Sequence, residues 1–329
     1  MTKLSVLDLA PVAQGSDVSE TLARSAELAQ RCESLGYQRY WIAEHHNMPG
    51  IASAATALVI QHVAAATSRI RVGAGGIMLP NHAPLIIAEQ FGTLASLYPG
   101  RIDLGVGRAP GTDPATARAL RRNLHADVEQ FPQDVVELLN YFDGAPQAMV
   151  RAIPGVGLDI PVWVLGSSLF GAQLAAQLGL PYAFASHFAP GQLQQAIALY
   201  RQQFTPSKYL DAPYAMAGFN VFAAPEQSEA EYLASSMQQA FVNLRRGTPG
   251  QLPPPKPNYL NQLAAPERAL IQSVMNCSAI GDAQTIAQQT RQFIEENNVD
   301  ELIISCQMHS HDARVRSYEI LATALADCV

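Results

Sequence analysis

The run Trp41-Ile42-Ala43-Glu44-His45-His46-Asn47 places one carboxylate and two imidazoles directly after an apolar stretch. Such a group can bind a metal ion, supply a general base, or form a buried cluster satisfied by the backbone. Side chains on an extended strand alternate faces, so only one of His45 and His46 can face a common site. A zinc site on a strand would want an H-x-H pair on one face with further ligands later in the chain, and no such pair ends a strand, the string His309-Ser310-His311 reading as loop near the chain end, so no metal is expected. A catalytic histidine and a structural cluster both stay open for this motif. Arg108, in the string GVGRAPG, offers a guanidinium for an anion or for a neighbouring carboxylate. The spacing GxGxxxG departs from the dinucleotide fingerprint and no helix-opening sequence follows, which excludes a Rossmann site. Ser167 and Ser168 stand where a helical pattern begins, so two hydroxyls and free backbone N–H groups could take an anion, although N-capping explains one serine equally well. His187 ends an apolar run and is expected to line a pocket, whereas His82, in PNHAP, is expected to shape a helix entry. His309 and His311 read as part of a solvated loop near the end of the chain.

These residues fall at the ends of short β-rich runs that alternate with helical patterns. The runs are Leu4 to Ala10, Tyr37 to His45, Arg69 to Leu79, Arg101 to Arg108, Ile160 to Gly166, Pro181 to Phe188, Tyr214 to Ala224 and Glu301 to Gln307. Helical spacing follows each, for example from Asp17 to Leu35 with Gly36 as its stop, and from Pro84, placed to open a helix, to Leu97. Eight β-then-α steps without a composition break predict one domain over residues 1–329, an α/β protein of the (β/α)8 TIM-barrel class. In that fold reactive groups gather at the C-terminal strand ends, where the motifs above lie. The proline-rich stretch from Arg245 to Pro266 can continue neither helix nor central strand, and reads as an insertion before the eighth strand.

Hydrophobic residues make up 48% of the 329 and charged residues 15%, which excludes disorder and allows a large core. With 21 basic against 28 acidic residues, the net charge of -7 argues against nucleic acid and against a polybasic membrane patch. Charged residues interrupt every apolar run, and the first residues carry Asp8 without a signal-cleavage pattern, so neither a membrane span nor export is expected and the cytoplasm is the expected compartment. The four cysteines, Cys32, Cys277, Cys306 and Cys328, show no CxxC spacing and are expected to be reduced thiols.

Together WIAEHHN, VGAGGIMLPNHAPLIIAEQ, YPGRIDLGVGRAPG and LGSSLFGAQLAAQLGLPYAFASHFAP resemble the bacterial luciferase-like flavin-dependent oxidoreductases, above all an uncharacterised branch with AEHHN, GRAPG and LGSS at its strand ends. The resemblance covers nearly the whole chain. It implies a homodimeric barrel that binds FMN at its C-terminal mouth, with NAD(P)H or a separate flavin reductase supplying electrons for a dioxygen-dependent oxidation of a small organic substrate. It assigns His45 as the catalytic histidine, Gly75 and Gly76 as the small pair against the flavin ring joined by a non-proline cis peptide, and Arg108 with Ser167 and Ser168 as phosphate ligands. Ser186 falls on a pocket position held by tryptophan in relatives, beside His187, and the segment 245–266 resembles the luciferases' mobile lid. Arg118, Arg121 and Arg122 receive no assignment. Gly107 stands where light-emitting subunits carry a cysteine, so light emission is not expected. Two other readings share the barrel: a deazaflavin-linked hydride transferase, and a non-catalytic flavin-binding protein.

Overall fold

The computed structural model describes residues 2–109, 113–120, 128–144 and 149–326. Pro110 and Gly111 of the GRAPG string, Arg121, Arg122 and Cys328 lie outside these residues.

Strands β1 (Lys3–Asp8), β2 (Arg39–Ile42), β3 (Arg71–Met78), β4 (Ile102–Gly107), β5 (Val162–Gly166), β6 (Tyr182–Phe184) and β7 (Ala215–Ala223) pair in chain order, and every pairing is parallel. The strand β9 (Glu301–Ser305) joins β7 to β1 and closes the ring. The expected eight-stranded barrel is therefore present. The helices that follow the strands are α1 (Val18–Ser34), α2 (Thr56–Ala66), α3 (Pro84–Leu97), α4 (Pro114–Leu120), α5 (Phe131–Asp143), α6 (Leu169–Leu178), α7 (Leu193–Gln203), α8 (Gln227–Arg245), α9 (Ala265–Val274), α10 (Ala283–Asn297) and α11 (His311–Ala324). Local signals set several of their ends. Asp17 caps α1 by accepting the Glu20 N–H at 2.8 Å, and Pro84 opens α3.

Three segments differ from the sequence reading. Ser278–Gly281 forms an additional parallel strand, β8, against Asn220–Ala223 of β7. Four residues carry too little periodicity to announce a strand, and their partner is the second half of β7, which runs beyond its pairings with β6 and β9. The second and sixth strands also stop earlier than their apolar runs, at Ile42 and Phe184, because the chain turns at the barrel rim.

Alternation along the strands divides the core in two. Outward residues such as Val6, Tyr40, Ile42, Val72, Leu104, Val164 and Phe219 pack beneath the helices. Inward residues Leu7, Trp41, Ala43, Trp163, Ala183, Met216 and Ile303 fill the barrel, with the Trp41 and Trp163 rings edge to face at 5.1 Å. Below them Arg39 bridges Asp103 at 2.8 Å and Glu301 at 3.0 Å, Arg71 reaches Asp103 at 2.6 Å, and the Trp41 Nε1–H donates to Asp103 at 3.1 Å. Tyr214 and Ser5 complete the ring by donating to Glu301. This charge-paired plug closes the N-terminal end. Each ion is tolerated there only because its partners sit beside it.

Asp8 plays a similar part outside the barrel. It accepts bonds from Ser25 and Tyr40 at 2.6 Å each and from Arg314 at 2.7 Å, which ties α1 and α11 to β1 and β2. Burial alone would raise this carboxyl, but Arg314 and the two hydroxyls outweigh it and hold it below the usual carboxylate range.

Candidate active site at the barrel mouth

Above the apolar layer, the C-terminal strand ends bring together most of the residues the sequence singles out. Beyond Ile42 the chain continues with Ala43 facing the barrel interior, Glu44 buried, and His45 partly exposed next to His187. His46 turns toward Glu44 instead, its Nε2 2.8 Å from Oε1. The two histidines thus diverge although the strand has already ended at Ile42.

Glu44 is the hub of this rim. His82 Nε2 lies 2.9 Å from Oε1 and 3.1 Å from Oε2, and the Met78 N–H donates to Oε2 at 3.1 Å. Burial pushes the Glu44 carboxyl upward, but His82, His46 and the Met78 N–H more than offset it, so the carboxyl stays below its ordinary value. His82 therefore does more than shape a helix entry, because it fastens the loop before α3 to the end of β2. Nothing local in PNHAP signals a partner 38 residues away. Ligand atoms of Glu44, His46 and His82 lie within 4.8 Å of one another, close enough for a metal, and the same atoms are hydrogen-bonded to one another.

Beside the hub, β3 bulges between Ala74 and Ile77, and the Gly75–Gly76 peptide within the bulge is cis. A Cβ on Gly76 would lie 2.7 Å from the Gly105 carbonyl oxygen, and one on Gly75 would lie 2.8 Å from Leu7 Cδ1. Only glycine fits the close approach, and the result is a wall of bare backbone.

Arg108, exposed at the end of β4, places its guanidinium 4.1 Å from the centre of the Phe170 ring. Phe170 is in the first turn of α6, so the cation lies at that helix's positive end. Ser168 is the N-cap residue, yet its hydroxyl makes no capping bond, and Ser167 is exposed. Gly171 packs on Gly166 at the same corner, with a built Cβ only 3.5 Å from Gly166 Cα. The first N–H groups of α6, two hydroxyls and a guanidinium are thus presented together, a donor set that suits a phosphate.

Ser186 and His187 follow a tight turn after β6, where the Ser186 N–H donates to the Phe184 carbonyl at 2.9 Å. Ser186 has no exposed surface, and its Oγ donates to the Gly218 carbonyl at 2.6 Å. It stands behind the mouth, supporting β7, while His187 stays partly exposed at the rim. Gly218, which accommodates the His187 ring, and Asn220, which donates to the His187 carbonyl at 2.8 Å, are site residues that sequence reasoning missed. Their signal was their inward register on β7, two and four residues beyond Met216.

The segment 245–266 is anchored over this end of the barrel. Leu252 donates to Val12 at 2.8 Å and accepts from Gln14 at 2.9 Å, and the Gly250 carbonyl sits against Gly50 so closely that a Cβ there would meet it at 2.2 Å. The insertion therefore rests on the loops after β1 and β2, the second of which carries His45. His309 Nε2 meets the Gln14 carbonyl at 3.0 Å, and His311, expected in a solvated loop, opens α11 with its Nε2 3.3 Å from Glu27. Among the described residues the cysteines Cys32, Cys277 and Cys306 are buried and free, and no helix is long and apolar enough to cross a membrane.

A closed parallel barrel with its polar groups convergent at the C-terminal rim defines an enzyme of the (β/α)8 class. The chain belongs to the luciferase-like monooxygenase family, whose model matches residues 2–301. A relative named luciferase-like monooxygenase, from Escherichia coli strain K12, is 53% identical over 317 residues, covering 96% of this chain and 95% of that one. The crystal structure of apo-MsnO8 superposes with a TM-score of 0.89 at 31% identity, covering 99% of each chain. The oxygenating constituent of 3,6-diketocamphane monooxygenase from Pseudomonas putida, solved with FMN, has a TM-score of 0.73 at 15% identity, covering 100% of this chain and 98% of that one, and shares the fold.

Proposed function

We propose that this chain is an FMN-dependent monooxygenase that oxidises a small organic substrate. The observation that carries the reading is the donor set at the start of α6, where Arg108, stacked on Phe170, meets the uncapped N–H groups and the Ser167 and Ser168 hydroxyls. A phosphate accepts from such donors and a neutral ring does not need them. The bare wall at Gly75, Gly76 and Gly105 offers a flat surface on which the isoalloxazine could lie. FMN is also the ligand in the solved Pseudomonas putida neighbour.

Reduced FMN, when bound, supplies the electrons that activate dioxygen, so that one oxygen atom enters the substrate and the other leaves as water. The protein's residues do the remainder. Arg108, Ser167 and Ser168 would hold the phosphate, and the β3 bulge would support the ring near His45. His45 gives or takes a proton at the mouth, a task suited to an imidazole near neutral pH. The insertion resting on the loops after β1 and β2 keeps water from the reacting centre. We infer also that the chain works as a homodimer in the cytoplasm, with NAD(P)H, directly or through a separate flavin reductase, as the electron source.

The test is oxygen uptake by the protein reconstituted with FMN, started with NAD(P)H alone and with a flavin reductase added, in the presence of a panel of thioethers, ketones and alkanes. Substrate-dependent uptake with formation of an oxygenated product supports the reading. Hydride transfer to a deazaflavin without oxygen uptake would replace it, and tight FMN binding without any turnover would leave a flavin-binding protein.

A further inference from the structure

His187 is held more rigidly than a pocket-lining side chain requires. Its carbonyl accepts from Asn220, its preceding residue Ser186 donates to the Gly218 carbonyl, and the Phe188 N–H donates to the Ala185 carbonyl at 3.2 Å. The ring lies against the Gly218 backbone so closely that a Cβ there would sit 2.0 Å from Nδ1. Nδ1 is buried and has no hydrogen-bond partner, whereas the residue as a whole is partly exposed and Nε2 is not among the buried atoms without a partner in the described residues. Of the titratable groups around it, His45 lies near the ring, and Cys277 reaches the Ser186 hydroxyl behind it.

The two ring nitrogens are therefore not equivalent. A proton on Nδ1 would be a buried N–H without an acceptor, aimed at the Gly218 Cα hydrogen that occupies the direction of the missing Cβ, whereas a bare lone pair on Nδ1 accepts that weak C–H contact. The neutral tautomer with its proton on Nε2 is favoured, and a second proton has no place to bond. We infer that His187 is a permanently neutral Nε2–H donor at the barrel mouth, and that it recognises a substrate carrying an uncharged oxygen acceptor, such as a ketone or amide carbonyl. Desolvation and the nearby His45 point the same way, holding the His187 pKa down at about 4. An anionic substrate would find no cation in this ring. The substrate half of the inference rests on the mouth being the substrate site proposed above, and the tautomer half does not.

Imidazole 15N–1H correlation spectra of the full flavin-free protein test both halves, with His187→Phe identifying the resonances. The expected result is a single Nε2–H imidazole whose shifts stay constant from about pH 8 to about pH 5, where a free histidine would titrate. Cyclohexanone should shift this signal in a saturable manner, and cyclohexanecarboxylate should not. Gly218→Ala should displace the ring and restore a midpoint near the ordinary 6.5. An Nδ1–H tautomer, a wild-type midpoint near that value, or an undisturbed signal in Gly218→Ala would overturn the fixed-donor assignment. Equal responses to the two probes, or none, would overturn the substrate assignment. FMN binding is titrated separately on the same sample, so a fixed tautomer in a protein that binds no FMN would refute the proposed function alone.

Discussion

Replacing Glu44 by glutamine should loosen the rim that carries His45 without dismantling the barrel. The carboxylate is 1% exposed and accepts from His46, His82 and the Met78 N–H. An amide of the same shape keeps one acceptor oxygen but turns a donor toward at least one of these donors. The Met78 N–H belongs to the backbone at the end of β3, and leaving it unpaired costs about 1 to 3 kcal/mol. The histidines are 13% and 27% exposed and can recover water in part, so each adds on the order of 0.5 kcal/mol. The total is about 2 to 4 kcal/mol. A chain of 329 residues unfolds with an entropy of about 0.7 kcal/mol/K, which converts this loss into a fall in Tm of about 3 to 6 °C. Scanning calorimetry at neutral pH reads the shift, and hydrogen exchange at the Met78 amide localises it. The pH dependence supplies a further check. Because the folded-state pKa of Glu44 is depressed, its stabilisation is complete above the unfolded value of about 4.3 and is lost as pH falls through the folded value. The gap between wild type and Glu44→Gln should therefore narrow in acid. An unchanged Tm together with wild-type protection at Met78 would refute the hub.

Two further perturbations address the chemistry of the mouth. His45→Ala should retain FMN, because the phosphate ligands are elsewhere, and lose about 10²-fold or more in turnover, as expected for removal of a proton-transferring group; stopped-flow oxidation of reduced FMN at the wild-type rate would remove His45 from the mechanism. Deleting residues 250–258 takes away the Leu252 bonds to Val12 and Gln14 and the cover over the β2 loop, so the ratio of released hydrogen peroxide to oxygenated product should rise while circular dichroism keeps its shape; an unaltered ratio would make the segment a surface loop.

The barrel was legible in the sequence because its evidence is repeated: each apolar run ends in small or polar residues and a helical period follows. The placement of His45, Arg108, Ser167 and Ser168 at the rim was legible for the same reason, since each sits at or just beyond a strand or helix end. What escaped depends on distant partners. His82 reads as a turn residue until the fold brings it to Glu44, and Asp8 as a charge in an apolar run until Arg314, 306 residues later, pairs with it. Ser186 falls on a pocket position by resemblance, but the turn after Phe184 sends its hydroxyl to the Gly218 carbonyl. The polar plug was partly readable, since Arg39 and Asp103 share strand parity with the inward Trp41 and Gly105, although the pairing across strands was not.

The account turns on a phosphate at the start of α6, and paired titrations of FMN and riboflavin into wild type and Arg108→Ala test it most directly. Arg108 should contribute a charge-assisted interaction of about 1.5 to 3 kcal/mol with the phosphate and nothing comparable with riboflavin. FMN affinity should then fall by about 10- to 150-fold in the variant while riboflavin affinity stays within about twofold, since each 1.4 kcal/mol is a factor of ten. Equal losses for the two ligands, or no loss for FMN, would contradict the assignment of this mouth as a flavin mononucleotide site.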